Sequence, residues 1–384
     1  MPAKVNIQRA ESAGACYGVV RALELTEKAI VECDKVSTFG EIIHNPIVVN
    51  GFAEKGVSVI KEANEASGTV VLRSHGVRPS VEAEITTRAK VIDATCPYVK
   101  KAQLAARKLG EKHPTVIVVG EEGHPEVEAI VEYANQTCSN VILAPSLESL
   151  PEELGPSVGI VSQTTQSEST FSEIVSAVKS RMSNGDDECL SNGDDECLAK
   201  GDDEFYAGVQ KCASTCENEA LHKGDDECLS NGDDELFLEV KNTICHATQE
   251  RQEAALSLSS KAQAMIVLGG KKSANTRRLF ELCEKNCAHC FHVESEDEFS
   301  GMISEIKALV QKGDDECCAG EQKCDATCEN ASLHNGDDEC FASLHNGDDE
   351  LIGDDEFLIG ITAGASTPAT QIDELEAVLR AEFA

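Results

Sequence analysis

Apolar residues along this chain fall in short unbroken runs: VVL at 70–72, KVID at 90–93, TVIVV at 115–119, NVILA at 140–144, VGIV at 158–161, AMIVL at 264–268 and LIGIT at 358–362. Runs this short, rich in β-branched residues and bounded by polar loops, predict strands covered on both faces, as in parallel sheets. Between them, 21–32, 125–134, 168–181 and 275–284 carry helical patterning. Strand, loop and helix in repeated alternation predict an α/β fold with parallel sheets.

Three cysteines stand where such a strand gives way to a loop that opens a helix. The segments are VNIQRAESAGACYGVVRA with Cys16, AKVIDATCPYVKKAQ with Cys96 and EVKNTICHATQERQEAA with Cys245. The step from Cys16 to Cys96, 80 residues, is close to the 93 that separate Cys96 from Cys245 once residues 183–238 are set aside. The expected architecture is therefore three small α/β units, 1–95, 96–182 and 239–311, in pseudo-threefold arrangement around a central iron–sulfur site. Residues 358–384 add a strand and helix that complete the core. Clusters usually take four cysteines. Three thiolates would leave one iron open to substrate, which is the arrangement that separates catalytic from structural metal sites. A single buried cysteine is usually a small apolar core residue; three in matching loop positions point to ligation.

Residues 183–238 and 312–357 differ from the rest. GDDE recurs throughout them, and KCASTCENEALHKGDDEC at 211–228 returns as KCDATCENASLHNGDDEC at 323–340. They hold nearly half of the 69 acidic residues, so the formal charge of −36 overstates the acidity of the remaining chain. Such composition cannot bury enough apolar surface to offset chain entropy and reads as low-complexity insertion. Both follow a predicted helix and precede a strand, which places them at the amino ends of the strands. The remaining chain shows no basic patch for nucleic acid and no apolar window long enough for a membrane span. Thiol-rich and without a secretory pattern, it is expected in a reducing, cytoplasmic setting.

Histidines cluster around the same loops: His44 in EIIHNPIVV, His75 in LRSHGVRP and His124 in VGEEGHPEVEAIV. His124 precedes Pro125 at a helix start, where free backbone N–H groups bind phosphate. The loops SQTTQSES with Thr164 and Thr165, GGKKSANTRRL with Ser273 and Asn275, and ITAGASTP with Ser366 add uncharged donors suited to a diphosphate. Singly, each is better read as a cap. Glu126 sits on the first turn after His124; a favourable helix-end charge is one reading. Proton delivery to a bound diphosphate ester is the other.

The series AGACYGVVRA, EIIHNP, RSHGV, DATCPYV, GHPEVE, SQTT, NTICHATQERQ, SANTRRL and AGASTP, in this order, resembles the LytB/IspH family of 4-hydroxy-3-methylbut-2-enyl diphosphate reductases. The resemblance covers the chain except the two acidic segments. It implies reductive removal of the allylic hydroxyl, giving isopentenyl and dimethylallyl diphosphate, the last step of the non-mevalonate pathway. It further implies that Cys16, Cys96 and Cys245 ligate a [4Fe–4S] cluster and that His44, His75, His124, Ser273, Asn275 and Ser366 hold the diphosphate. Glu126 would relay protons and Thr164 support the substrate hydroxyl. A low-potential donor such as ferredoxin or flavodoxin would supply electrons. Ala274 departs from the pattern, where a second serine is expected, and the acidic segments lie outside it.

Other readings stand beside this one. Cys283, Cys287 and Cys290 form C-x3-C-x2-C, the spacing of radical S-adenosylmethionine enzymes, but across a helix end running into FHV. Cys212, Cys216, His222 and Cys228, repeated as Cys324, Cys328, His334 and Cys340, could bind zinc as an interaction module. A third reading is a reductase of the same scaffold acting on another allylic diphosphate.

Overall fold

A computed structural model describes residues 4–183, 226–231, 236–318 and 356–384. Backbone proximity divides the chain into two compact units, Met1–His75 with Glu84–Cys96 and Cys245–Ala384, and Gly76–Ala83 with Pro97–Ile244.

The first unit contains two four-stranded sheets, parallel throughout. One has the order β3 (Ser58–Ile60), β2 (Val36–Phe39), β4 (Thr69–Leu72), β5 (Lys90–Asp93). Helix α1 (Tyr17–Glu32) covers it with Val19, Ala22 and Ala29, which pack with Ile42, Ile43 and Val71. These apolar residues recur at helical spacing, so α1 buries one stripe and leaves the other face wet. Helix α2 (Pro46–Glu54) joins β2 to β3, and α3 (Pro79–Thr86), divided between the two units at residue 83, precedes β5. The other sheet runs β1 (Lys4–Arg9), β13 (Glu356–Ala363), β11 (Ala264–Leu268), β12 (Cys290–Val293). Its helices are α7 (His246–Ser259), α8 (Ala274–Asn286), α9 (Phe299–Cys318) and α10 (Ala369–Glu382).

The second unit carries a five-stranded sheet in the order β7 (Asn140–Ala144), β6 (Thr115–Val119), β8 (Ser157–Ser162), β10 (Leu236–Lys241), β9 (Asp226–Asn231). It is parallel except for the β9–β10 pair. Helices α4 (Pro97–Lys112), α5 (Pro125–Asn135) and α6 (Glu168–Ser183) accompany it. All five positions of β6 and of β11 are buried, which is why both read as continuous apolar runs.

The unit boundaries drawn from sequence shift at two strands. β1 lies outside the sheet of its sequence neighbours and pairs with β13 over Lys4–Arg9, where Ile7 joins Ile359, Ile361 and Ile372 in one core. β10 pairs with β8, so residues 236–241 belong to the second sheet, and β9 forms within the stretch read as acidic insertion. Adjacency in sequence misleads here because β pairing follows complementary apolar faces rather than chain distance. Among the described residues no helix is long and apolar enough to cross a membrane.

One buried ion group anchors β10. Glu239 is 2% exposed; its carboxylate accepts from Lys112 Nζ at 2.9 and 3.0 Å, and His113 Nε2 lies 3.2 Å away. Lys241 Nζ lies 3.2 Å from the same carboxylate. Burial alone would raise its pKa, but the hydrogen bonds from Lys112, His113 and Lys241 outweigh it and hold the carboxyl at about 2.

Candidate active site at the strand carboxyl ends

Each of the three cysteines follows a strand of a different sheet: Cys16 comes after β1, Cys96 after β5 and Cys245 after β10. All three belong to the first unit, are partly exposed and form no disulfide. Cys16 and Cys245 occupy the N-cap positions of α1 and α7 in extended conformation, yet neither sulfur caps its helix. An N-cap normally favours Ser, Thr, Asp or Asn, so cysteine at both is a local cost that its neighbourhood must explain. A sulfur at a helix start that makes no capping bond is available to bind a metal.

Contacts between loops draw the trio together. The Cys16 amide donates to Ala365 O at 3.3 Å and the Cys96 amide to Ser74 O at 2.9 Å. Gly18, two residues beyond Cys16, lies against the Cys96 sulfur. A Cβ at Gly18 would stand 2.5 Å from Cys96 Sγ, so only glycine lets α1 approach that sulfur so closely. Arg251 of α7 donates from Nη2 to Gly14 O at 3.0 Å, joining the Cys245 helix to the Cys16 loop. Cys245 Sγ lies 3.0 Å from Thr248 Oγ1. Three soft donors at loop ends, one of them with a glycine packed against its sulfur, fit an iron–sulfur cluster.

Around His44 the first unit gathers most of the polar residues expected from sequence. The His44 and His75 rings stack with centroids 4.4 Å apart. Burial pushes the His44 pKa below its ordinary value; a hydrogen bond and the charge of Glu41 oppose this, while Arg73 and Lys272 add to the lowering. Ser366 Oγ donates to His44 O at 3.3 Å, and Asn45, the N-cap of α2, donates from Nδ2 to Ser366 O at 2.9 Å. Gly270 permits the β11–α8 loop to approach, since a Cβ there would stand 2.3 Å from His44 O. Ser273 caps α8 by accepting from the Thr276 amide. Asn275, 3% exposed, has both side-chain polar atoms buried with no partner. An orphaned buried amide costs about 1–3 kcal/mol, and a bound ligand is one way to satisfy it. Ala274, also buried, supplies no hydroxyl beside it.

His124, Glu126 and Thr164 belong to the second unit. His124 caps α5 through Nδ1, which accepts from the Glu126 amide at 3.2 Å, leaving the ring proton on Nε2. Glu126 is 1% exposed, and its Oε1 accepts from the Thr164 amide at 2.6 Å. Thr164 follows β8, so the acid is held at the strand's carboxyl end.

Cys283, Cys287 and Cys290 form no part of these loops. They sit where α8 ends and β12 begins, inside a core with Leu258, Met265 and Leu279. Cys290 pairs with Met265 at the amino end of the sheet, opposite the site loops. A hydrogen bond with Cys283, and then burial, raises the Cys290 pKa; burial raises that of Cys287. Protonated thiols in an apolar core are poor ligands. Of the repeated Cys/His set, Cys212, Cys216, His222, Cys324, Cys328, His334 and Cys340 lie outside the described residues, and for Cys228 only the backbone in β9 is described. Gly18, Asn45 and Arg251 escaped sequence reasoning: each acts through a contact with a distant loop, which leaves no local pattern.

A family profile described as LytB protein matches residues 7–203 and 213–380. The 4-hydroxy-3-methylbut-2-enyl diphosphate reductase of Trichlorobacter lovleyi is 35% identical over 291 residues, spanning 75% of this chain and 84% of its own. That of Aquifex aeolicus is 34% identical over 298 residues, spanning 77% and 85%. A solved structure of (E)-4-hydroxy-3-methyl-but-2-enyl diphosphate reductase, described as the terminal enzyme of the non-mevalonate pathway, aligns with a TM-score of 0.55 and 28% identity over 99% of both chains. The E-1-hydroxy-2-methyl-but-2-enyl-4-diphosphate reductase of Plasmodium falciparum shares the fold with a TM-score of 0.64 at 18% identity, covering 98% of this chain and 88% of that one. The chain belongs to the LytB protein family.

Proposed function

We propose that this protein reduces 4-hydroxy-3-methylbut-2-enyl diphosphate to isopentenyl and dimethylallyl diphosphate, consuming two electrons and two protons and releasing water. The observation that carries the reading is the convergence of three cysteine loops, Gly18 against Cys96 and Arg251 bridging from the Cys245 helix to the Cys16 loop. Cys16, Cys96 and Cys245 would hold a [4Fe–4S] cluster, which supplies electrons singly and, at the iron without a protein ligand, a Lewis acid.

The chain's own residues bind, orient and protonate. Asn275 offers its unsatisfied amide to the diphosphate, joined by the Ser273 and Ser366 hydroxyls and by His44, His75 and His124. An incoming dianion raises histidine pKa values, so rings that are neutral beforehand gain charge as the ligand arrives. This binding energy, remote from the reacting carbon, fixes the allylic end in place. Glu126 holds the proton that lets the hydroxyl leave as water. Its buried carboxyl ionises less readily once the diphosphate is bound. Thr164, whose amide is already committed to Glu126, positions the substrate hydroxyl through its own side chain. Addition of the last proton at either end of the allylic fragment gives the two products.

A low-potential donor of the ferredoxin or flavodoxin type supplies the electrons, in the reducing setting of the cytoplasm. Anaerobically reconstituted protein with a low-potential reductant is expected to convert the substrate to both products. Glu126→Gln is expected to lower kcat by about 100-fold or more. No turnover by protein whose cluster is intact would reject the substrate assignment and leave another allylic diphosphate to be identified.

A further inference from the structure

Arg251 lies on α7 and is 4% exposed. Of its five donors, Nη2 goes to Gly14 O at 3.0 Å and Nη1 to Ala247 O, while Nε is buried with no partner. Among the described residues no carboxylate hydrogen-bonds it. A buried cation is costly unless negative charge faces it. The negative charge within electrostatic reach is that which Cys16 and Cys245 would carry as thiolates, with Glu250 on its own helix. What would repay that burial is a lasting negative charge on the sulfurs.

We propose that Arg251 is a positioning residue that fixes the Cys16 and Cys245 loops relative to each other and, as a buried cation beside both sulfurs, raises the reduction potential of the iron–sulfur group they hold. The inference rests on the ligand reading above. Each thiolate adds negative charge, and an incoming electron adds more. A fixed cation in a water-poor site stabilises the reduced state more than the oxidised one. Its hydrogen bond to Gly14 O makes the same side chain a strut between two of the three ligand loops.

The test compares reconstituted full-length Arg251→Gln and Arg251→Lys with the parent, reading iron content and the midpoint potential by spectroscopically monitored redox titration. Arg251→Gln removes the charge and is expected to lower the one-electron reduction equilibrium by about tenfold or more, equivalent to about 59 mV. Arg251→Lys keeps the charge and is expected to hold the parent potential within about threefold, with lower iron content because the fork to Gly14 is lost. An unchanged potential in Arg251→Gln, or an equal shift in both variants, overturns the inference. Should Arg251→Gln fail to fold, Arg251→Lys alone decides, since a shifted potential with the charge retained is incompatible with it. Folded variants that both refuse iron also overturn it, leaving Arg251 a structural clamp. A parent chain that takes up no iron would remove the ligand reading itself, whereas an unshifted loaded Arg251→Gln removes this inference alone.

Discussion

Two trios of cysteine share the first unit and have opposite fates. Cys283, Cys287 and Cys290 are close in sequence, at a spacing that resembles a cluster motif, yet they close off a helix and enter a strand within an apolar core. Cys16, Cys96 and Cys245 are scattered along the chain, yet each occupies the loop after a strand, and two of them open helices. Local surroundings account for the difference. The start of a helix offers N–H groups and positive potential to a thiolate. The end of one, in the core with Met265, offers burial and neighbouring thiols, which raise the pKa values of Cys287 and Cys290. Spacing in sequence is the weaker guide; position along the helix is the stronger.

The sharpest way to break this contrast is to exchange the roles. Cys245→Ala is expected to abolish stable iron incorporation and bring turnover to background, while Cys283→Ala retains both. Iron analysis and the visible spectrum after anaerobic reconstitution would show it. A Cys283→Ala protein without iron would invert the assignment. Gly18→Ala comes next: a Cβ 2.5 Å from Cys96 Sγ should cost about 1–3 kcal/mol of overpacking and cut cluster yield well below the parent. Cys283→Ala and Cys287→Ala should each cost about 1 kcal/mol in denaturant unfolding of the metal-free chain.

The smallest effect is on pH dependence. The folded pKa values of Cys287 and Cys290 are raised, so the folded chain keeps protons that the unfolded chain releases above about pH 8.5. Their contribution to stability is therefore fully present below about pH 8.5 and declines as the pH rises beyond it. A denaturant midpoint that falls with alkaline pH in the parent, and falls less in Cys287→Ala, would agree. An identical decline in both would remove this account of the core trio.

Much of the fold is legible because burial on both faces leaves a run of apolar residues. The stretches at 90–93, 115–119, 140–144 and 264–268 coincide with β5, β6, β7 and β11 to the residue. β2 and β3 were not legible: β2 places Ser37 and Thr38 in buried positions and β3 is three residues long. The pairing of β1 with β13 joins opposite ends of the chain, and no local pattern reports a partner that far away. The same holds at the site. Cys16, His124 and Ser273 announce themselves as residues before helices, whereas Gly18 matters only because Cys96 folds against it. Arg251 is one charge among several in QERQE, and only its hydrogen bond to Gly14, two residues before Cys16, distinguishes it.

The Glu239 group gives β10 a mooring of its own beside its pairing with β8 and β9. A one-residue slip would carry the carboxylate to the opposite face of the sheet, where Leu238 and Val240 sit against Ile174 and Phe171. It would then be a buried charge without its lysines or its histidine. Such a penalty dwarfs the ~0.6 kcal/mol that doubling a connecting segment costs in closure entropy. Evolution is thus at liberty to lengthen, duplicate or trim the stretch between α6 and β9 without misaligning the strand that delivers Cys245.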